Sequence, residues 1–332
     1  MTSIKGHNAP ITCVNWSLTN NFLFCSGDEK GIFRIWDFRT MKTIKAFQAP
    51  NKSSITSSQF NDDICFVSSG NEMNQLDLRG DGLFIKNSLF KDEAKDEINK
   101  IKVDTTNNRY GYCDDSGNIS VFEFNSNKKI VDLVGTHESV CNLSSEFINE
   151  IKENNTHVHL CSDFVFDKKE MTLYSTGLDM TVVKSKLWNP SPKTKYIMNK
   201  CSFPKTGTNT LVNPPMAYSI DMNMKGDRLM VACGNGMIYW LTTGALKITQ
   251  SFEISMGMIQ QASYFNHDRL YLIATPNQLQ CRSSCAYETV FARNFVGIND
   301  FSANQTTKHI LVADHSCDIH LLESVEEQED DE

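Results

Sequence analysis

GHNAPITCVNWSLTNNFLFCSGDEKGIFRIWD, residues 6–37, decides the fold of this 332-residue chain. Gly6-His7 opens the stretch, and ITCVNW (Ile11 to Trp16) alternates apolar and polar residues as a strand buried on one face does. A turn at Leu18 to Asn21 leads into FLFCSG (Phe22 to Gly27), a second turn holds Asp28-Glu29-Lys30-Gly31, and IFRIWD (Ile32 to Asp37) is a third strand. TIKAF (Thr43 to Phe47) supplies a fourth. The unit is thus a small antiparallel sheet of four strands in about 40 to 45 residues, and weaker copies of it follow along the chain.

A Gly-His pair early, a Trp-Asp pair at the end of the third strand and this period together resemble one WD repeat. The family implies a β-propeller blade in which a His, a Ser, a Trp and an Asp just before the turn glycine link up. Here His7, Ser26 and Trp36 fit that network. Lys30 occupies the acidic position, which predicts an incomplete network with Asp28 as a substitute.

Blade 2 reads as SITSSQF (Ser54 to Phe60), ICFVSSG (Ile64 to Gly70), MNQLDLR (Met73 to Arg79) and GLFIKNSLF (Gly82 to Phe90). The charged segment Lys91 to Glu97 then leads to blade 3, which ends near Gly135. Thr136-His137 stands where Gly-His stood in the first unit. Blade 4 has two candidate first strands, one around Val140 to Phe147 and one at His157 to Phe166. The second is preferred for its spacing to MTLYSTG (Met171 to Gly177). Glu138 to Thr156 then becomes an insertion, with Leu143, Phe147 and Ile151 spaced for one helix face. A second connection, Lys200 to Pro215, carries Pro204, Gly207 and Pro214-Pro215, all breaker signals. Blades 5 and 6 follow with four strands each.

The seventh unit has three strands: Ile298 to Asn304, His309 to Ser316 and Cys317 to Glu323. Thr2 to Lys5 has the length and position to be its missing outer strand, which would close the ring and remove an open edge. The fold expected is therefore all-β, one seven-bladed WD-repeat β-propeller over residues 1–323, with a disordered acidic tail at 324–332. The three long connections all run from an outer strand to the next inner strand. That places the extra length on the top face, where binding loops gather.

Composition limits the function. No apolar run reaches the length of a membrane span, mean hydropathy is mildly negative, and MTSIKGHNAP lacks the apolar core of a signal peptide. An intracellular protein, cytoplasmic or nuclear, is expected. Eleven cysteines are scattered over strand-like segments, which reads as reduced core thiols. Net charge is −8, but seven acids lie in the last ten residues, leaving about −1 for the body. Neither nucleic-acid nor membrane binding is expected.

Chemistry-bearing motifs are few. His157, His159 and Cys161 alternate along one strand, which puts three metal-ligand types on one face, but a fourth ligand is not evident. Cys281 and Cys285 have no second pair, the turn at Cys233 to Gly236 is followed by no helix, and Pro204 to Gly207 lacks phosphate-loop spacing. No catalytic residue, metal or cofactor is expected, and the protein is not expected to be an enzyme.

Two blades end alike, as Trp36-Asp37-Phe38-Arg39 and Leu76-Asp77-Leu78-Arg79. In WD-repeat substrate receptors of cullin-4 ubiquitin ligases, a WD-x-R signature at this place marks blades that dock the ligase's adaptor propeller. Trp36, Asp37, Arg39, Asp77 and Arg79 are the matching positions, and each guanidinium could bridge an interface with two hydrogen bonds. The plainer reading is a surface ion pair with the preceding acid, worth little. Asp114 to Phe124, Leu173 to Val182, Leu211 to Ile220 and Ile310 to Ile319 also resemble segments of a family member of that receptor class. The resemblance implies a monomeric, non-enzymatic scaffold that binds a cullin-4 adaptor on its bottom face and a client protein on its top face. The alternative is a WD-repeat scaffold subunit of another intracellular complex.

Overall fold

The computed structural model describes residues 1–61, 63–80, 82–137, 160–189, 194–198, 215–254, 257–285 and 287–323. These residues form seven antiparallel four-stranded sheets, with no α-helix among them. Each inner strand lies beside the next, and the seventh returns to the first, so the sheets are the blades of a closed seven-bladed propeller. Blade 1 consists of Ile11–Trp16, Leu23–Asp28, Ile32–Asp37 and Lys42–Gln48, from the channel outward.

The ring closes through the chain's first residues. Thr2–Lys5 is the outermost strand of blade 7, beyond Ile298–Ala303, Ile310–Asp314 and Asp318–Leu322. It runs antiparallel to the last of these with Ser3 opposite His320 and Ile4 opposite Ile319. Ile4 is buried among Ile11, Trp36, Ile319 and Leu321, so the closing strand joins blade 7 to blade 1 through side chains as well as backbone.

Seven apolar clusters hold the ring, one at each seam between neighbouring blades. Between blades 1 and 2, for example, Cys13, Cys25, Phe33 and Phe47 meet Ile55, Phe60, Cys65 and Leu76. The thiols here act as small hydrophobes: burial pushes Cys13 and Cys65 well above the usual thiol range. Among the described residues the cysteines are free.

A polar belt reinforces the seams near the channel. In every blade but the sixth, the inner strand bulges at its second residue. A bulge re-aims the side chain of the extra residue. Here the freed side chain reaches the next blade: Thr12 Oγ1 donates to the Ile55 carbonyl (2.6 Å), Asn99 Nδ2 to that of Cys161 (3.0 Å), Ser162 Oγ to that of Ala217 (2.6 Å), and Asn299 Nδ2 to that of Ile11 (2.7 Å). Buried acids do the same for backbone N–H groups, with Val14 donating to Asp300 and Ile220 to Asp163. Two lysines from blade 3 offset these carboxylates, Lys100 against Asp300 and Lys102 against Asp163.

One strand assignment is corrected. The outer strand of blade 2 is Phe90–Glu93, not Gly82 to Phe90. An outer strand is exposed on much of its surface, so charged residues serve it well. Lys91 bridges Glu72 and Glu93 there. The extra length of blade 2 is thus not a top-face connection at Lys91 to Glu97. It lies in the bottom turn between the third and fourth strands, residues 78–89. The other two long connections, Glu138 to Thr156 and Lys200 to Pro215 apart from Pro215 itself, lie outside the described residues, as does the tail at 324–332.

Candidate protein-docking face

The blade-1 network contains all four members. Trp36 Nε1 donates to Ser26 Oγ (2.8 Å), Ser26 Oγ meets His7 Nε2 (2.7 Å), and His7 Nδ1 meets Asp28 Oδ2 (2.8 Å). A carboxylate only accepts, so Nδ1 is the donor to Asp28. Asp28, not Lys30, is the acid. Lys30 is exposed, whereas Asp28 Oδ1 also accepts from the backbone N–H groups of Lys30 and Ile32 and ties the turn closed. Gly31 permits this turn: its φ is +75°, and a Cβ there would lie 2.7 Å from the Ser53 carbonyl oxygen. Burial raises the Asp28 carboxyl, but the bonds from His7 and the two amides outweigh it and hold the group below the usual range.

A second such network was hidden by the spacing. His137 Nδ1 contacts Asp179 Oδ1 (2.9 Å) and Nε2 contacts Ser175 Oγ (2.9 Å), with the His137 and Asp179 side chains inaccessible to solvent. Thr181 adds bonds to both carboxylate oxygens. Where blade 1 has Trp36 across from Phe24, blade 4 has Ser185 across from Leu173, so the tryptophan is absent. These networks are interior and fix blade shape; they offer nothing to a ligand.

The two Asp-x-Arg segments make the same set of hydrogen bonds. Arg39 Nε and Nη2 donate to Asp37 Oδ1 and Oδ2 (3.1 and 2.7 Å), and Arg79 makes the same pair with Asp77 (2.9 and 2.7 Å). In each, the arginine N–H also bonds the acid at 2.9 Å, folding the chain back after the strand. The side chains of Arg39 and Arg79 are 63% and 65% exposed. The fork holds each guanidinium in place and leaves its outer edge toward solvent. The bonds from Arg39 lower the Asp37 carboxyl, and those from Arg79 bring Asp77 to about 2. Both sites follow the third strand of adjacent blades, so they share the bottom face.

An apolar rim borders them. Arg39 lies over the half-exposed Phe22 ring at 5.1 Å. The long turn of blade 2 crosses to blade 1, where Ala46 accepts from Ile85 and donates to Leu83, so that residues 83–85 pair beside the outer strand. Lys45 anchors the turn through the Gly80 and Gly82 carbonyls. This leaves Leu83, Phe84 and Leu89 exposed on the turn that follows Arg79, and Ile44 exposed on the blade-1 strand that the turn pairs with. Sequence reading missed this rim because the turn's apolar residues mimic a strand.

Of the remaining candidates, His157 and His159 lie outside the described residues, while Cys161 is buried in the seam between blades 3 and 4. No group of three His, Cys, Asp or Glu suited to a metal occurs among the described residues. Cys281 is buried and Cys285 exposed.

Exposed ion pairs of this kind contribute little to folding. Arg39→Ala and Arg79→Ala, singly or together, should therefore shift the thermal midpoint by less than about 2 °C, as read by differential scanning calorimetry. A larger loss would show that the arginines act in folding.

Residues 1–37 match the family model described as WD domain, G-beta repeat. With seven blades, the chain is a β-propeller whose first blade, with its His7-Ser26-Trp36 network, matches a WD repeat; propellers of WD repeats generally serve as scaffolds for protein partners. Over 299 residues it is 21% identical to WD repeat-containing protein 53 homolog of Dictyostelium discoideum, an alignment covering 83% of this chain and 75% of that relative.

Proposed function

We propose that this propeller is a non-enzymatic substrate receptor of a cullin-4 ubiquitin ligase, working in the cytoplasm or nucleus. Its bottom face docks the ligase's adaptor propeller, and its top face selects the client. The observation that carries the reading is the repetition in adjacent blades. Arg39 and Arg79 sit after equivalent strands, each oriented by its own aspartate and each about two-thirds exposed. A pre-oriented guanidinium loses less side-chain freedom on binding than a free one, and two on one face give an interface a fixed bearing. The apolar rim at Phe84 and Leu89 supplies the desolvated surface that charges alone lack.

Affinity capture on the full chain tests this. The wild type should recover the cullin-4 adaptor, and Arg39→Ala/Arg79→Ala should recover at least about tenfold less. Equal recovery from both proteins, or none from the wild type, would reject the proposal. A second reading, a scaffold subunit of another complex, is favoured by the fact that each arginine already has an acid partner within its own turn. A stable non-ligase assembly whose contacts avoid both arginines would support it.

A further inference from the structure

A cavity of about 120 Å³ opens between blades 5 and 6, among the bottom-face turns and away from blades 1 and 2. Trp240, Tyr264, Tyr271 and Tyr287 form much of its wall, with Asp268 and Arg228 beside them. The Trp240 ring stands nearly perpendicular to that of Tyr271 at 5.7 Å and steeply inclined to that of Tyr287 at 5.9 Å. Polar groups on this wall are left over. Tyr271 is 1% exposed, yet its hydroxyl has no hydrogen-bond partner among the described residues, and neither do the Tyr264 hydroxyl and Asp268 Oδ1. Buried polar atoms are seldom left this way unless something else satisfies them.

The backbone holds that carboxylate deliberately. Asn266, His267 and Asp268 are three successive residues with positive φ (49°, 56° and 65°), a conformation that L side chains rarely adopt in series. Asp268 Oδ2 is pinned by the Met224 amide at 2.8 Å, while Oδ1 stays unpaired. Burial pushes the Tyr271 phenol up to about 12, so it is neutral at physiological pH and able to accept as well as donate. Arg282, a further cation near Tyr271, is engaged by Gln280 and the Tyr287 carbonyl.

We propose that this cavity binds a primary alkylammonium group, the tip of a lysine side chain from a protein partner. Three unmet oxygens, one of them anionic, call for N–H donors, and aromatic walls favour a cation with an apolar stem. The volume accommodates about four water-sized groups, which matches an ammonium and three methylenes. A quaternary ammonium has no N–H and would leave all three oxygens unmet. A carboxylate would face Asp268. Arg228 lies at the same cavity, and its charge opposes the ligand's.

The test is a titration of the full chain at constant ionic strength, following the Trp240 indole N–H by NMR, with n-propylammonium, tetramethylammonium and propionate as probes. The n-propylammonium ion should give a saturable shift and the other two should not. Asp268→Asn, which tolerates positive φ and still accepts from Met224, should weaken binding at least about fivefold. Tyr271→Phe, which removes only an unpaired hydroxyl, should weaken it about threefold. Arg228→Ala should strengthen it about twofold or more. No saturable shift would mean that water alone occupies the cavity. That result would overturn the proposal, as would equal binding of tetramethylammonium or propionate, or weaker binding by Arg228→Ala.

Discussion

Replacing His137 with alanine should lower the unfolding free energy by about 3–5 kcal/mol, the cost of stripping a buried charged group of its partner. Asp179 is inaccessible to solvent, and His137 supplies the ring donor it faces. Ser175 Oγ, equally buried, would lose its partner at Nε2. Thr181 retains its bonds to Asp179, which moderates the loss without neutralising the charge. The double variant His137→Ala/Asp179→Asn should therefore regain about 1–2 kcal/mol relative to His137→Ala, because an amide needs less compensation than a carboxylate. Urea denaturation of the three proteins measures both quantities. Gly177 belongs to the same arrangement: a Cβ there would stand 2.5 Å from His137 Nδ1 and 2.8 Å from Asp179 Oδ1, so the ring and the acid meet only because this position is bare.

How legible this was in the sequence depends on how local each signal is. Blade 1 is readable because its strands alternate and its turns are short, so Ile11–Trp16 and Ile32–Asp37 form as expected. Counting back from the turn glycine puts the acid at Lys30 and leaves Asp28 as the substitute, because the count ignores where the strand ends; the network is complete with Asp28. Asp28 is the last residue of its strand and caps the turn from there. In blade 4 the histidine and its partners are separated by residues 138–159, so the period that pairs His7 with Ser26 does not pair His137 with Ser175. The outer strand of blade 2 is illegible for a different reason. Leu83, Phe84 and Leu89 look like a buried strand but are exposed, while the charged residues after Phe90 make the ladder. Hydrophobic pattern marks burial, and an outer strand is scarcely buried. The pocket between blades 5 and 6 left no sequence signal, since Tyr264, Asp268 and Tyr287 reach it from separate elements.

Loss of the closing strand should be as damaging. Deleting Thr2–Lys5, or replacing Ile4 with aspartate, should destabilise the fold by about 3 kcal/mol or more. Ile4 is 4% exposed in the seam between blades 7 and 1, beside Ile319 and Leu321. The deletion also uncovers the backbone of Asp318–Leu322, an unpaired edge that invites pairing with another molecule. Size-exclusion chromatography with light scattering should therefore show concentration-dependent association for the deleted form and a monomer for the full chain. A deletion variant that stays monomeric and unfolds at the wild-type urea concentration would show that blade 7 is complete without its first-residue strand.

The assignment of bottom and top faces, and with it the docking surface at Arg39 and Arg79, depends on that closure. Native-state hydrogen exchange read by mass spectrometry tests it directly. Peptides covering Thr2–Lys5 and Asp318–Leu322 should exchange slowly and together, with the protection of the neighbouring strand Ile310–Asp314. Exchange of Thr2–Lys5 at the rate of an open chain end, with Asp318–Leu322 still protected, would contradict a ring closed by its own first strand.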